Sequence, residues 1–189
     1  ISTQYVAAIP VYRSIHEEVK GSIGDIRTIS IAMDAVAKNG GKEYDTIWSD
    51  MASHPISMVM TWLQGRVFDP ASVVGTITRR ENAARFRYGD AEVEIVHRSL
   101  LKGSTPIRRF GVNGFLIDWE GRPDAHGIYQ AHLHYGGREW IVKDFMHTTI
   151  ARFVAFVRGE PDGTILATGQ DGVENLRMQL EILQRCQRE

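Results

Sequence analysis

The sequence predicts an α+β fold in which helices pack on one face of a mostly antiparallel, open-faced sheet. A strand-rich middle runs from about residue 72 to residue 145, and short turn signals rather than helices separate its strands. Helical patterns lie before and after this middle. The 189 residues are 43% hydrophobic and 24% charged, which is enough for one sizeable core, so we expect a single domain over residues 1–189.

The first third of the chain mixes helix and strand signals. "ISTQYVAAI" at residues 1–9 is β-rich, and the proline after it suits the first position of a helix over about residues 10–20. "DIRTISIAMDAVA" alternates with many β-branched residues, which favours a second strand. "WSDMASHPISMVMTWLQG" at residues 48–65 has apolar residues at helical spacing, with Ser49 as a possible cap and Gly65 as the end.

Six strands are predicted in the middle of the chain. Gly89, within "YGD" at residues 88–90, and the glycines at residues 136–137 indicate hairpin turns between them, because glycine supplies the positive φ that tight turns need. "FGVNG" at residues 110–114 is interpreted as a turn, since no helix follows it to complete a phosphate-binding fingerprint. The six strands are "SVVGTITRR", "AARFRY", "EVEIVHRSL", "GFLIDWE", "IYQAHLHY" and "REWIVKDF". Two amphipathic helices, over residues 147–159 and 172–189, are predicted to close the chain.

Composition excludes several classes of protein. The formal net charge is -1 and the basic residues are scattered, so we expect no nucleic-acid partner. Cys186 is the only cysteine, which rules out a disulfide within the chain and fits a reducing compartment. No apolar run is long enough to span a bilayer, and the first residues lack the pattern of a signal peptide. We therefore expect a cytoplasmic protein with no membrane contact.

Asp50 and His54 are the candidate catalytic pair. Their spacing of four residues on a helix places both side chains on one face, where a carboxylate can orient an imidazole for proton transfer near neutral pH. The alternative is that Asp50 only interacts favourably with the helix N-terminus and His54 packs beside Trp48. Spacing alone leaves both readings open.

Other histidines offer weaker candidates. His132 and His134 alternate on a strand and so share a face, but no third metal ligand stands at a telling distance, and a polar surface or interface explains them as well. We therefore predict no metal site. His147 opens a closing helix and can reach a pocket at the edge of the sheet, although a solvated helix start is the alternative. Trp48 and His147 are the expected substrate-binding residues.

The order of four segments resembles the C-terminal domain of the glucose-fructose oxidoreductase, inositol dehydrogenase and MocA (Gfo/Idh/MocA) family. "IPVYRSIHEEVKGSIGDIRTISI" is similar to the family's entry into its sheet, and "DMASHPISMVMTWLQG" to its aspartate, histidine and apolar helix. The strand-rich middle follows, and then the closing helices of "IARFVAFVRGEPDGTILATGQDGVENLRMQLEILQR". This resemblance implies the sheet of dihydrodipicolinate-reductase-like and glyceraldehyde-phosphate-dehydrogenase-like C-terminal domains.

The resemblance also implies a function. In that family the aspartate and histidine handle the substrate hydroxyl over a nicotinamide, so these roles fall on Asp50 and His54. NAD or NADP is thereby implied as cofactor, yet the chain has no Gly-rich dinucleotide-binding motif and no Glu-Lys-Pro sequence. Because residue 1 is Ile rather than Met, we expect that a nucleotide-binding (Rossmann) domain was removed or lies on another chain.

Three functions remain possible at this point. The first is the substrate-binding and oligomerising domain of an NAD(P)-dependent oxidoreductase that acts on a sugar, cyclitol or related polyhydroxy or carbonyl compound. The second is a stand-alone, cofactor-free acid-base enzyme such as an isomerase, lyase or cyclase. The third is a non-catalytic assembly protein. All three predict a homo-oligomer, a dimer or tetramer, through the open face of the sheet.

Overall fold

The computed structural model describes residues 3–36, 48, 51–78, 81–100, 106–160 and 166–188. Within these residues the fold is α+β, with four helices and one sheet of nine strands. No helix in the described ranges is both long and apolar enough to cross a membrane. The helices are α1 (Thr3–Lys20), α2 (Ser53–Trp62), α3 (Phe145–Val157) and α4 (Gly169–Arg185).

The sheet has the strand order β8-β7-β6-β5-β1-β4-β3-β2-β9. Neighbours are antiparallel except for the parallel pairs β1 with β4 and β2 with β9. The mostly antiparallel sheet is therefore confirmed. The strands are β1 (Thr28–Val36), β2 (Phe68–Ile77), β3 (Glu81–Tyr88), β4 (Ala91–Leu100), β5 (Arg108–Val112), β6 (Phe115–Pro123), β7 (Tyr129–Tyr135), β8 (Arg138–Lys143) and β9 (Gln187–Arg188).

Alternation along the strands separates the two faces of the sheet. On β4, Val93, Ile95 and His97 are almost fully buried, whereas Glu92 is exposed and Glu94 is partly exposed. The buried face forms the core with the helices: α1 packs against α2 and α3, and α4 packs against α2 and β2. The helices therefore cover one face, as expected.

The other face, called the open face here, carries cross-strand ion pairs. Arg109 and Asp118 on neighbouring strands are 2.6 Å apart, and Arg85 and Glu94 are also 2.6 Å apart. Ile141 of β8 faces the same way, and it is 53% exposed. Exposed ion pairs of this kind contribute little to the stability of the chain.

The strand predicted over residues 1–9 is wrong. From Thr3 this segment belongs to α1, which continues through Pro10 to Lys20. The five residues from Tyr5 to Ile9 are all buried, so the segment packs on every side. Burial of this kind overrides the β propensity of single residues, which is only a weak guide.

The turn predicted over residues 110–114 is correct only at its end. Residues 108–112 form β5, which the sequence pattern did not identify, and Asn113 and Gly114 make the turn with φ of 49° and 80°. The side-chain oxygen of Asn113 accepts hydrogen bonds from the backbone N–H groups of Arg27 and Thr28. The predicted hairpin turns at Gly89 and at Gly136 and Gly137 are confirmed, since all three glycines have positive φ.

Candidate functional site

The candidate site lies on the helix-covered face, where β1 and β4 end and β5 begins. The pairing places Met33 of β1 between His97 of β4 and Arg108 of β5. One strand further out on each side, Asn82 is paired with His97 and Trp119 with Arg108. Polar and charged side chains are thus brought into a row that sequence spacing alone does not reveal.

His54 is in the first turn of α2, above this row. Its imidazole stacks on the ring of Tyr5 in α1, with centroids 4.5 Å apart and planes inclined by 22°. Tyr5 in turn meets the edge of Trp119, with centroids 4.9 Å apart. The Nδ1 atom of His54 is buried and has no hydrogen-bond partner among the described residues. The ring is therefore held by stacking, and its buried Nδ1 atom is unpaired within the described residues.

The electrostatic environment keeps His54 neutral. Burial, together with the nearby positive charge of Arg108, lowers its pKa to about 4. At neutral pH the imidazole is therefore in its proton-accepting form. Burial raises the pKa of the Tyr5 hydroxyl, so this group keeps its proton beside the histidine.

Among the charged groups, Arg108 has the largest effect on the pKa of His54. Its guanidinium lies over the ring of Trp119, 5.1 Å from the centroid. The side chain is half-buried, and no ion pair or hydrogen bond ties it to any other described residue. The next residue, Arg109, faces the opposite side of the sheet and is paired with Asp118 there.

A buried polar pair lies behind the site. His97 and Asn82 are each 1% exposed, and both ring nitrogens of His97 and the Oδ1 atom of Asn82 lack partners within the described part of the chain. Burial lowers the pKa of His97 to about 3, and the positive charge that His54 carries when it is protonated acts in the same direction. Burying polar atoms without hydrogen-bond partners costs folding free energy, so the presence of this pair in the core calls for an explanation.

A hydrogen-bond network fixes α2 against α4. Asn175 is fully buried, and its amide donates to the backbone oxygen of Ser53 and to Ser57 Oγ, both at 3.2 Å. Gln179 donates to the Asn175 oxygen at 2.6 Å, and its own backbone oxygen accepts from Trp48 Nε1 at 3.1 Å. The network anchors the turn that carries His54.

The four predicted site residues have different outcomes. Asp50 and the cap Ser49 lie outside the described residues. His54 lies in the first turn of α2 beside Tyr5, and its catalytic role stays a prediction. Trp48 is 1% exposed and meets the edge of His97, with centroids 5.5 Å apart, so here it supports the site from within the core. His147 is exposed in the first turn of α3, two residues after Phe145, whose ring contacts Trp119. The substrate-binding roles of Trp48 and His147 stay predictions.

Tyr5, Arg108 and Trp119 were not identified from the sequence. Tyr5 was assigned to a strand, and Arg108 precedes the part of β5 that was interpreted as a turn. A signal for Arg108 does exist: residues 108, 110 and 112 alternate with residues 109 and 111, which is a strand pattern ending at Asn113 and Gly114.

His132 and His134 lie on the open face, away from His54. His132 Nδ1 is 2.8 Å from Glu139, and His134 Nε2 is 3.6 Å from the same carboxylate oxygen, beyond hydrogen-bond distance. The described residues contain no group of three or more side chains that could hold a metal ion. The sequence also lacks a Gly-x-Gly-x-x-Gly motif, and within the described ranges no strand leads through a Gly-rich turn directly into a helix that would cradle a diphosphate.

Comparison with solved structures shows the same fold in several oxidoreductases. UDP-N-acetylglucosamine 3-dehydrogenase from Acidithiobacillus ferrooxidans matches 96% of this chain with a TM-score of 0.61 and 15% identity. A 3-ketoreductase from Actinomadura kijaniata, in complex with NADP and TDP-benzene, matches 99% with a TM-score of 0.60 and 12% identity. The dehydrogenase MviM from Clostridium difficile matches 95% with a TM-score of 0.58 and 11% identity.

The chain spans about 60% of the length of each of these proteins. They are oxidoreductases of the Gfo/Idh/MocA type, and the chain has the fold of their C-terminal domain, as the sequence resemblance implied. At these identities the similarity shows the fold alone. No known family profile matches the sequence. No curated protein is significantly similar to it.

Proposed function

We propose that this chain is the substrate-binding and oligomerising domain of an NAD(P)-dependent oxidoreductase that acts on a sugar, a cyclitol or a related polyhydroxy or carbonyl compound. The observation that carries the proposal is the placement of His54. In a fold shared with oxidoreductases, a neutral imidazole is clamped on Tyr5 with its Nδ1 free of protein partners among the described residues. Such a group is suited to exchange a proton with a substrate.

The proposed chemistry is proton transfer by His54 during oxidation of a substrate hydroxyl. The O–H bond breaks and its proton passes to the imidazole, while the C–H hydrogen leaves as hydride. The nicotinamide, held outside this chain, would supply the hydride chemistry. By the family resemblance, Asp50 holds His54 or passes the proton on. The lowered pKa of His54 keeps the ring unprotonated at neutral pH, which is the form that can accept a proton.

The exposed surface of α3 fits the docking of a nucleotide-binding domain. Met146, Ile150, Phe153 and Val157 lie at helical spacing on one side of α3 and are all at least 47% exposed. A contiguous apolar stripe of this kind usually marks an interface. The proteins of the same fold are longer than this chain, which favours a further domain as the occupant.

The first test is a titration of NADH and NADPH against this chain, followed by nicotinamide fluorescence. We expect no binding, because the chain lacks a dinucleotide-binding motif. Tight binding would contradict the assignment of the cofactor to another domain. The coding sequence around this chain is an independent check, since a reading frame with no Gly-x-Gly-x-x-Gly strand and helix upstream would count against the proposal.

The second test measures hydride transfer with the chain joined to its nucleotide-binding domain. His54→Gln should lower kcat by about 10²- to 10⁴-fold and leave the Kd for NADPH unchanged, because the imidazole acts only on the proton. His126→Gln, in the exposed turn before β7, is the matched control and should retain full activity. Turnover that persists without NAD(P) would favour the cofactor-free acid-base enzyme instead.

A further inference from the structure

We propose that the substrate of this site is anionic and that Arg108 binds its negatively charged group, a carboxylate or a phosphate. The inference adds a substrate class to the proposed function. It rests on that function in one respect, namely that His54 is the residue that exchanges a proton with the substrate. Its support comes from three features of Arg108: the absence of a counter-charge among the described residues, its fixed position and its closeness to His54.

The missing counter-charge is the first feature. A guanidinium has five N–H donors and no acceptor, so a half-buried arginine normally has a carboxylate or carbonyl partner. Arg98, which is also half-buried, follows this rule with Asp34, at 2.8 Å, and even the exposed Arg109 is paired with Asp118, at 2.6 Å. Arg108 has no such partner in the described part of the chain, although it belongs to the same sheet.

The fixed position is the second feature. Trp119 is paired with Arg108 across β5 and β6, and its ring lies 5.1 Å from the guanidinium. A cation–π contact stabilises the charge without using the N–H donors, so these stay available for a ligand. The Trp119 ring is itself held by Tyr5 and Phe145, each with a centroid 4.9 Å away. The cation is thus supported by packed aromatic rings.

Closeness to the histidine is the third feature. The two side chains are linked by ring contacts, since His54 stacks on Tyr5, Tyr5 meets Trp119, and the guanidinium of Arg108 lies over Trp119. In agreement with this arrangement, the charge of Arg108 helps to lower the pKa of His54. A group bound by Arg108 would therefore lie next to the reacting hydroxyl rather than at a distant part of the substrate. Arginine is well suited to this role, because its planar fork matches the two oxygens of a carboxylate or phosphate.

Binding of an anion would also change the histidine. When the positive charge of Arg108 is compensated, one of the causes that lower the pKa of His54 is removed, and the imidazole becomes a stronger base. The substrate would then activate its own proton acceptor. A neutral sugar, which leaves Arg108 uncompensated, would not produce this change.

The test compares three probes of similar size on the full chain: glucuronate for the carboxylate, glucose 6-phosphate for the phosphate, and glucose as the neutral control. Affinity is measured by calorimetry, and the pKa of His54 is followed by its imidazole NMR signals with and without each probe. We expect one of the two anions to bind and to raise the pKa of His54. The anion that binds shows whether the charged group of the substrate is a carboxylate or a phosphate.

Two substitutions on the same strand make the test specific. Arg108→Met should weaken binding of that anion by about 10- to 100-fold and abolish its effect on His54, since a charge-assisted hydrogen-bonded pair is lost. Arg109→Met, on the open face, should bind as the unsubstituted chain does, and circular dichroism confirms that both variants fold. The proposal is overturned if neither anion binds, if glucose binds equally well, or if the two variants behave alike.

The outcome is separate from that of the proposed function, because no step of this binding test needs a nicotinamide. Binding that depends on Arg108, in a protein whose hydride transfer is insensitive to His54→Gln, would remove the proton-transfer role and leave the anion site in place.

Discussion

The ring of His54 lies flat against the ring of Tyr5, with centroids 4.5 Å apart. This contact joins the first turns of α1 to the first turn of α2, and it sets the orientation of the histidine from a part of the chain that is 49 positions away in sequence. Tyr5 is itself 4% exposed, and its ring contacts the ring of Trp119 in the sheet. The geometry of the candidate base is therefore determined by three separate elements.

The stack predicts different results for two substitutions of Tyr5. Tyr5→Phe keeps the ring and should retain both stability and the pKa of His54. Tyr5→Leu removes the stacked pair and should lower the free energy of unfolding by about 0.5–1.5 kcal/mol beyond the change in buried area. Urea unfolding measures the stability and NMR titration measures the histidine. If Tyr5→Phe is as damaging as Tyr5→Leu, the hydroxyl and not the stack is what matters.

Burial of His97 predicts that stability depends on pH. Its pKa is about 3 in the folded chain and 6.5 in the unfolded chain, so the unfolded state takes up the proton first as the pH falls. Stability is therefore fully present at neutral pH and decreases below about pH 6.5. From pH 7 to pH 5 this histidine alone should cost about 2 kcal/mol of unfolding free energy. The lowered pKa of His54 acts with the same sign.

His97→Leu isolates this contribution. Because neither ring nitrogen has a hydrogen-bond partner among the described residues, an apolar replacement should be nearly neutral or stabilising at pH 7. Urea unfolding at pH 7 and pH 5 should show a smaller loss for His97→Leu than for the unsubstituted chain. His126→Asn, at an exposed turn, should keep the original dependence. An unchanged pH dependence in His97→Leu would show that His97 is not responsible.

The network around Asn175 predicts a loss of stability on truncation. Asn175→Ala removes donors to Ser53 and Ser57 and an acceptor for Gln179, all within the α2 and α4 interface. Leaving buried polar groups unsatisfied should cost about 1–3 kcal/mol. Arg177→Ala, which breaks only an exposed pair with Glu174 on the same helix, should cost less than about 0.5 kcal/mol in urea unfolding. Equal effects would mean that the network does not anchor the helix.

Gly111 and Gly121 form a matched pair of glycines in neighbouring strands. A Cβ at Gly111 would lie 1.9 Å from the backbone oxygen of Phe115, which cannot move without disturbing the β5 and β6 hairpin. A Cβ at Gly121 would meet only Tyr129, at 3.6 Å, an ordinary contact. Gly111→Ala should therefore destabilise by about 1–3 kcal/mol and Gly121→Ala by far less. Thermal unfolding of both variants measures the difference.

The strands and the turns were predictable from the sequence for a local reason. Alternation and glycine positions are properties of a few adjacent residues, so the strands from β2 to β4 and from β6 to β8 were identified. The segment from Tyr5 to Ile9 was not, because its helical state depends on burial by other elements. The site divides in the same way. His54 belongs to a local motif, whereas Arg108 and Trp119 are brought together by the pairing of β5 with β6, and part of β5 was interpreted as a turn.

Two exposed surfaces predict two different associations. The open face carries Ile141 among cross-strand ion pairs, and we expect it to pair with a second copy of the chain. The stripe on α3, which includes the 56% exposed Ile150, is expected to receive the nucleotide-binding domain. Ile141→Arg should therefore weaken self-association, and Ile150→Arg should weaken only the docking of that domain. Both substitutions place one charge on an exposed apolar position, so each is the control for the other.

Light scattering at micromolar concentration measures the self-association. The unsubstituted chain and Ile150→Arg should have the mass of a dimer or tetramer, whereas Ile141→Arg should shift toward the monomer. Added salt should also weaken the association if the ion pairs of the open face take part, because exposed charges are screened. A monomer for the unsubstituted chain would contradict the predicted oligomer. Dissociation by Ile150→Arg instead would move the interface from the open face to α3.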